Sequence, residues 1–399
     1  MSAKRSSGNA RFGARGNVRT WVEIDSRAAK KNVLTFRKLI GKGLAGKNPA
    51  LWAVVKSNAY GHGLFAFSEV MDQAGVDGFC VDSAVEGLAL RKSGIKKPIL
   101  VLGQTLSTRM GEAAKNDITI SIANVEALQA LMALTRGSGK NIPRFHIKID
   151  SGMHRQGFYP EELPRVIRLL HASTPAIKSG LKGIFTHFAS AKDINYPAYT
   201  DMQFEVFQRA ATLFEKAGFN HLMKHAAATG GTLIAPKYHL DAVRVGIGLY
   251  GLWPSRELEM QKGQEIVLHP VLSWRTAVSE VKSLKKGDYV GYDLTERVVK
   301  DMKMAVLPIG YWHGFPRALS STGDVIIRGE RARVLGRISM DMAAVGLPKG
   351  TKVKHGDVVT LIGRDGKEEI PAAELSEKSG TSHYEFLTRL NPLMERVVV

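Results

Sequence analysis

Between residues 50 and 250, short apolar runs rich in β-branched residues alternate with amphipathic stretches. The runs fall at 51–55, 78–81, 99–103, 118–122, 145–149, 183–188, 222–226 and 242–247. Apolar positions recur with helical spacing in the segments between many of them, such as 124–134, 160–171 and 199–217. Asn124 and Pro160 suit helix starts. Strand–helix alternation repeated eight times predicts a (β/α)8 TIM-like barrel, whose working residues cluster at the C-terminal ends of the strands. The polar residues follow that rule. Lys56 ends the first run, Asp150 the fifth and His187 the sixth; Thr229 follows the seventh and Arg244 lies within the eighth.

After about residue 265 the texture changes. Strand-like runs at 273–281, 305–310, 325–334 and 357–363 are separated by turn signals such as Gly287-Asp288 and Asp365-Gly366. Few helical periods appear before 371–379. This pattern predicts a mostly antiparallel β domain over 266–399, following a barrel over 19–265. The early run 21–24 precedes the first helix and is free to join the β domain instead of the barrel.

Composition narrows the class. Hydrophobic residues make up 44% and charged residues 23% of the 399 positions, as in ordinary globular proteins. No apolar stretch approaches the ~18 residues that cross a bilayer, so no membrane association is expected. Cys80 is the single cysteine, which excludes an intrachain disulfide and suits a reducing cytoplasm. Its apolar surroundings predict an inert buried thiol. The net charge of +19 is partly a local matter. Lys4, Arg5, Arg11, Arg15 and Arg19 fall in a Gly/Ser-rich head with no acid before Glu23, and residues 1–18 read as a disordered basic tail. The other basic residues are spread without aromatic interleaving, so no nucleic-acid partner is expected. The 12 histidines are dispersed and form no recognisable ligand spacing; no metal site is expected.

The most telling residue is Lys56. It leaves the apolar run Leu51-Trp52-Ala53-Val54-Val55 for the turn Ser57-Asn58-Ala59-Tyr60-Gly61-His62-Gly63. Desolvation there favours the neutral amine that attacks carbonyls. Tyr60 is placed to reach the same pocket with its hydroxyl. On position alone a solvated strand-end lysine is the more ordinary reading. The segment around Lys56 resembles the pyridoxal-phosphate lysine motif of alanine racemases. The likeness continues through Lys148-Ile149-Asp150-Ser151-Gly152-Met153-His154-Arg155, Thr186-His187-Phe188-Ala189 and Arg244-Val245-Gly246-Ile247-Gly248-Leu249-Tyr250-Gly251. It extends to Pro308-Ile309-Gly310-Tyr311, Gly336-Arg337-Ile338-Ser339-Met340-Asp341 and Tyr384-Glu385. The blocks keep the family's order over roughly residues 20 to 392.

The resemblance implies a two-base racemase using pyridoxal 5'-phosphate. Lys56 would hold the cofactor as a Schiff base and act as one base; Tyr292, in Val290-Gly291-Tyr292-Asp293, matches the other. In the family that tyrosine comes from the partner subunit, which implies a homodimer with shared active sites. Racemisation removes a proton on one face and returns it on the other, so two groups must flank a planar carbanion. His187 is a candidate helper that lowers the Tyr292 pKa. Arg244 matches the arginine facing the pyridine nitrogen, where a donor that keeps its proton weakens the cofactor as an electron sink. Gly246, Ile247, Thr229 and Tyr384 match the phosphate site. Arg155 matches the partner of the substrate carboxylate, and Lys148 a lysine carbamylated in many relatives. Met340 and Asp341 match partner-subunit residues near that carboxylate, and Tyr311 a gate of the entryway.

Three departures stand out. Ala228-Thr229 replaces a frequent Asn-Ser pair, Ser339 stands at a position often held by cysteine, and Trp312-His313 replaces a frequent Ala-Asp. The expectation is a cytoplasmic alanine racemase interconverting L- and D-alanine and supplying D-alanine for peptidoglycan. A broad-specificity or serine/lysine racemase on the same scaffold is the nearest alternative. A non-catalytic pyridoxal-phosphate-binding homeostasis protein is more remote, because it would lack residues 266–399.

Overall fold

The computed structural model describes residues 18–41, 48–137, 142–193 and 197–399. The basic head expected over 1–18 therefore lies, apart from Val18, outside the described residues. The chain divides into two compact units. One comprises Arg27–Ala59 and Phe67–Pro270; the other comprises the chain up to Ser26, Tyr60–Ala66 and Val271–Val399.

The first strand of the chain, β1 (Thr20–Ile24), belongs to the second unit. The first unit is built on eight parallel strands: β2 (Ala50–Val54), β3 (Gly78–Val81), β4 (Ile99–Gln104), β5 (Thr119–Ile122), β6 (Phe145–Lys148), β7 (Leu181–Phe185), β8 (Met223–His225) and β9 (Ala242–Val245). They pair in chain order, and β9 returns to pair with β2. Between β8 and β9 the ring is drawn together by the Asp241 and Arg244 amides, which donate to the carbonyls of Lys224 and Ala227 at 3.0 and 2.9 Å. The result is the nearly closed barrel that the alternation predicts. β3, β6 and β9 are buried at every position, as strands covered on both faces must be.

Two apolar runs extend well beyond their strands. The run 183–188 yields a strand ending at Phe185; the Thr186 amide still donates to the His225 carbonyl at 3.2 Å, and His187-Phe188 run on past the strand at the barrel lip. The run 242–247 ends at Val245, because the Gly246 and Gly248 amides turn onto the Thr229 hydroxyl.

In the second unit, β1 pairs antiparallel with β10 (Leu272–Ala277) and parallel with the C-terminal strand Glu395–Val398. The expected single strand over 273–281 is two strands. The chain leaves β10 at Val278, whose amide donates to the Asp357 carbonyl, and enters β11 (Glu280–Leu284) to pair with Met302–Leu307. The run 325–334 is a hairpin of Asp324–Ile327 with Glu330–Leu335, turned at Arg328-Gly329, where φ is 56° and 74°. Positive φ at both central residues is the turn that matches strand twist. Trp274 and Phe315, both fully buried, pack edge to face in its core. Among the described residues no helix is long and apolar enough to cross a membrane. No group of three or more His, Cys, Asp or Glu side chains among them is arranged to hold a metal ion.

Candidate active site

The turn after Lys56 is left-handed. Ser57, Asn58, Ala59 and Tyr60 have φ of 56°, 54°, 51° and 50°. Each non-glycine residue in that region costs roughly 1–2 kcal/mol, so the turn persists only because its surroundings hold it. Glu86 supplies much of the hold. One carboxylate oxygen accepts from the Ser57 amide at 2.6 Å, the other from the Asp82 and Ser83 amides at 2.8 and 3.3 Å. Glu86 also closes the capping box of the helix Ala84–Lys92. The sequence signal for it was Ser83-x-x-Glu86. Lys56 is not sealed in an apolar pocket, which corrects the reading of its position. Its side chain is 38% exposed and its ammonium lies 3.9 Å from the Asp82 carboxylate.

Beneath the lip, the barrel interior is cationic. Arg244 is 2% exposed, and its guanidinium donates to His225 Nδ1 at 2.6 Å and to the Thr186 and Ala226 carbonyls at 2.7 and 2.9 Å. None of these partners is an anion, and burial lowers the Arg244 pKa to about 10. A guanidinium only donates, so His225 must accept at Nδ1 and carry its proton on Nε2. That proton then points at His146 Nδ1, 2.8 Å away, which leaves the His146 proton on Nε2. Burial followed by the charge of Arg244 keeps both rings neutral, His146 down to about 3. Phe185 stacks on His225 and lies under both Arg244 and Lys148. Nothing in the spacing of His146 and His225 announced this pair.

Lys148 is 5% exposed and 3.4 Å from the Gln156 side chain. Burial first, then Arg155 and Arg244, lower its pKa to about 8. His187 is half-buried, and burial together with Arg244, Arg155, Lys148 and Lys56 pushes it to about 3. Four cations thus act on one imidazole. Thr229 Oγ1 accepts from the Gly246 and Gly248 amides at 3.1 and 3.3 Å. Both lone pairs are then engaged, and its own proton remains to donate. The Gly246 amide is directed at this hydroxyl. Cys80 is buried, and burial raises its thiol to about 12, so it is inert at neutral pH.

In the second unit, Tyr292, Tyr311 and Ser339 line one cavity of about 390 Å³ with Arg317, Arg337 and Ile338. The Tyr311 and Trp312 amides donate to the Ser339 and Met340 carbonyls at 3.2 and 3.0 Å, which brings the Tyr311 and Met340-Asp341 segments together. Gly310 permits this approach, since a Cβ there would lie 2.2 Å from the Ser339 carbonyl oxygen. Tyr292 is 67% exposed and Met340 55%. The Tyr60 and Tyr384 rings lie 6.1 Å apart, and burial followed by Tyr60 raises the Tyr384 pKa. His62 Nδ1 lies 3.1 Å from the Tyr60 carbonyl, within the turn's own hydrogen bonding.

A barrel with a strand-end lysine and a cationic floor, in one chain with a β unit carrying exposed tyrosines, matches known proteins closely. The sequence profile of the alanine racemase N-terminal domain fits residues 24–254, and that of the C-terminal domain fits residues 271–398. The chain belongs to the alanine racemase family. It is an amino-acid racemase. It is similar to the alanine racemase of Leptospira interrogans serogroup Icterohaemorrhagiae serovar copenhageni, 34% identical over 95% of this chain and 96% of that protein. It is 37% identical to alanine racemase 1 of Bacillus subtilis over 95% of this chain and 92% of that one. The alanine racemase of Bacillus anthracis with bound L-Ala-P superposes with a TM-score of 0.87 at 33% identity, covering 96% of this chain and 95% of that one. A histidine racemase from Leuconostoc mesenteroides also superposes, with a TM-score of 0.82 at 28% identity over 96% and 98% of the two chains.

Proposed function

We propose that this racemase interconverts L- and D-alanine with pyridoxal 5'-phosphate in the cytoplasm, feeding D-alanine to peptidoglycan synthesis. The observation that carries the reading is the donor set of the barrel. Arg244, a fully buried cation whose hydrogen-bond partners are all neutral, shares one electrostatic neighbourhood with Lys56, Lys148 and Arg155. Buried charge needs compensation, and a phosphorylated pyridine aldehyde together with an amino-acid carboxylate supplies anions of the right kind. Lys56 has the amine for the aldehyde. Thr229 and Tyr384 have hydroxyl protons for the phosphate, with the main chain of Gly246-Ile247 beside Thr229. Bound pyridoxal phosphate supplies the electron-withdrawing ring that acidifies the substrate Cα–H.

The residues divide the remaining work. Arg244 donates to the ring nitrogen without surrendering its proton, and the His225–His146 pair fixes which nitrogen of each ring can accept. Lys56 and Tyr292 of the partner subunit exchange the Cα proton on opposite faces. His187, neutral at working pH, assists that tyrosine by hydrogen bonding and not by charge. Arg155 receives the substrate carboxylate; the partner's Met340 and Asp341 border it, and Tyr311 guards entry. Lys148 reacts in its neutral form with carbon dioxide to give a carbamate anion and a proton, which places a negative charge beside Arg155. Its low pKa supplies the neutral amine this needs.

The test uses purified protein loaded with pyridoxal phosphate. L-Alanine should yield D-alanine by chiral chromatography, and serine, lysine and histidine assayed alongside distinguish a broad-specificity enzyme. Lys56→Ala should lose covalent cofactor attachment and turnover. Tyr292→Phe should keep the cofactor and lose at least about a hundredfold in turnover in both directions, the lower end of what a positioned acid–base group contributes. Normal turnover by Tyr292→Phe removes the two-base reading.

A further inference from the structure

Arg155 is exposed and makes no salt bridge or side-chain hydrogen bond to a described residue. An arginine side chain carries about 2 kcal/mol of rotamer entropy, so its aim must come from its backbone. That backbone is built around one side chain. Asp150, at the C-terminal end of β6 and 4% exposed, turns its carboxylate into the loop that follows it. Oδ1 accepts from the amides of Gly152, Met153 and His154 at 3.0, 2.9 and 3.0 Å, and Oδ2 from the amide of Arg155 at 3.0 Å. Four consecutive main-chain donors converge on one anion, a nest closed by the chain on its own carboxylate.

The nest needs an unusual chain path. Gly152 has φ of 128°, His154 of 53° and Gly157 of 130°. A Cβ on Gly157 would lie 2.6 Å from the Asp150 nitrogen. The loop is clamped at its root by the Asp150 amide to the Phe158 carbonyl and the Phe158 amide to the Lys148 carbonyl, both 2.9 Å. Its flank is tied by Tyr199 Oη to the Gly152 carbonyl at 2.6 Å and by a buried contact of the Ser151 and Thr186 hydroxyls at 2.7 Å. Thr186 also receives Arg244 through its carbonyl at 2.7 Å. One residue therefore joins the Arg155 loop to the arginine on the barrel floor. Burial pushes the Asp150 carboxyl up, but the four amides outweigh it and keep it ionised below the usual carboxylate range.

We infer that Asp150 is a positioning residue for substrate binding: its carboxylate, gripped by the amides of residues 152–155, fixes the backbone from which Arg155 meets the substrate carboxylate. This rests on the reading of Arg155 given above. The Asp150 carboxylate is occupied by these four amides and acts through the backbone they fix.

The experiment compares wild-type holoenzyme with Asp150→Asn, Tyr199→Phe and Arg155→Ala, reading KM and kcat for alanine in both directions, cofactor absorbance, and amide exchange at 151–157. An asparagine keeps one acceptor oxygen and turns an N–H₂ toward the remaining amides. Losing charged hydrogen bonds of this kind predicts a KM raised about tenfold or more, with kcat changed by less than about threefold, cofactor absorbance retained and faster exchange at 152–155. Tyr199→Phe loosens the flank alone and should raise KM about two- to fivefold; it decides the matter if Asp150→Asn does not fold. A raised KM in Arg155→Ala with an unchanged KM in Asp150→Asn overturns the role of Asp150 and leaves Arg155 in place. An unchanged KM in Arg155→Ala overturns the reading of Arg155 and the inference with it. A fall in kcat equal to or larger than the rise in KM in Asp150→Asn also overturns the inference.

Discussion

At the scale of single residues, the site works by restraining charge. Lys148 shows this most clearly, because burial and neighbouring cations lower its amine from 10.5 to about 8. Between those values the unfolded chain holds a proton on this lysine that the folded protein does not. Stability from this group therefore rises with pH across the window. In carbon-dioxide-free buffer the wild-type melting temperature should gain on that of Lys148→Gln from pH 8 to 10.5. Bicarbonate should diminish the wild-type slope, since a carbamate no longer titrates as an amine. With ¹³C-bicarbonate, a carbamate resonance should appear in the wild type and be absent from Lys148→Gln. A bicarbonate-independent slope and no such resonance would leave Lys148 an unmodified cation facing Arg155. The histidines complete the pattern, since His187 and His146 stay neutral at any pH near 7. They act by direction of hydrogen bonding, not by switching charge.

At the scale of elements, strands were legible and their ends were not. Alternation located all eight barrel strands, because buried parallel strands are continuous apolar runs. It overshot at 183–188 and 242–247, since Phe188 and Ile247 carry the apolar pattern past the ends of the strands. The turn after Lys56 was visible from its glycines, but its left-handed sense was not, because Ser57, Asn58 and Ala59 have no preference strong enough to reveal it. Glu86 escaped, and Asp150 was visible only as a strand-end polar residue, for a related reason: a carboxylate that accepts main-chain amides leaves only faint spacing signals. These supports are testable. Gly61 has φ of 82°, and an added Cβ would lie 1.8 Å from the Leu387 carbonyl oxygen. Gly61→Ala should therefore displace backbone, costing about 3 kcal/mol or more from strain and overpacking together. Denaturant unfolding reads that loss directly, and a change below about 1 kcal/mol would mean the turn yields cheaply.

At the scale of the whole molecule, the open matter is how many chains make one site. Within one chain, the residues proposed to flank the substrate divide between the two units, with Lys56 in the barrel unit and Tyr292 in the β unit. Tyr292, Leu294, Trp312, Met340 and Met342 are each more than half exposed on that unit, as residues awaiting a partner surface would be. If each site takes Lys56 from one chain and Tyr292 from its twin, two inactive variants should repair one another. In a mixture of Lys56→Ala and Tyr292→Phe chains allowed to exchange, roughly half the dimers are mixed under random pairing of a two-fold dimer. Each mixed dimer has one site with both bases intact and one with neither. Activity should recover to about a quarter of the wild-type value per chain, from a baseline near zero for either variant alone. If both bases came from the same chain, mixing would restore nothing, since every site would still lack one of them. The outcome separates shared from self-contained sites, provided sedimentation shows that subunits have exchanged.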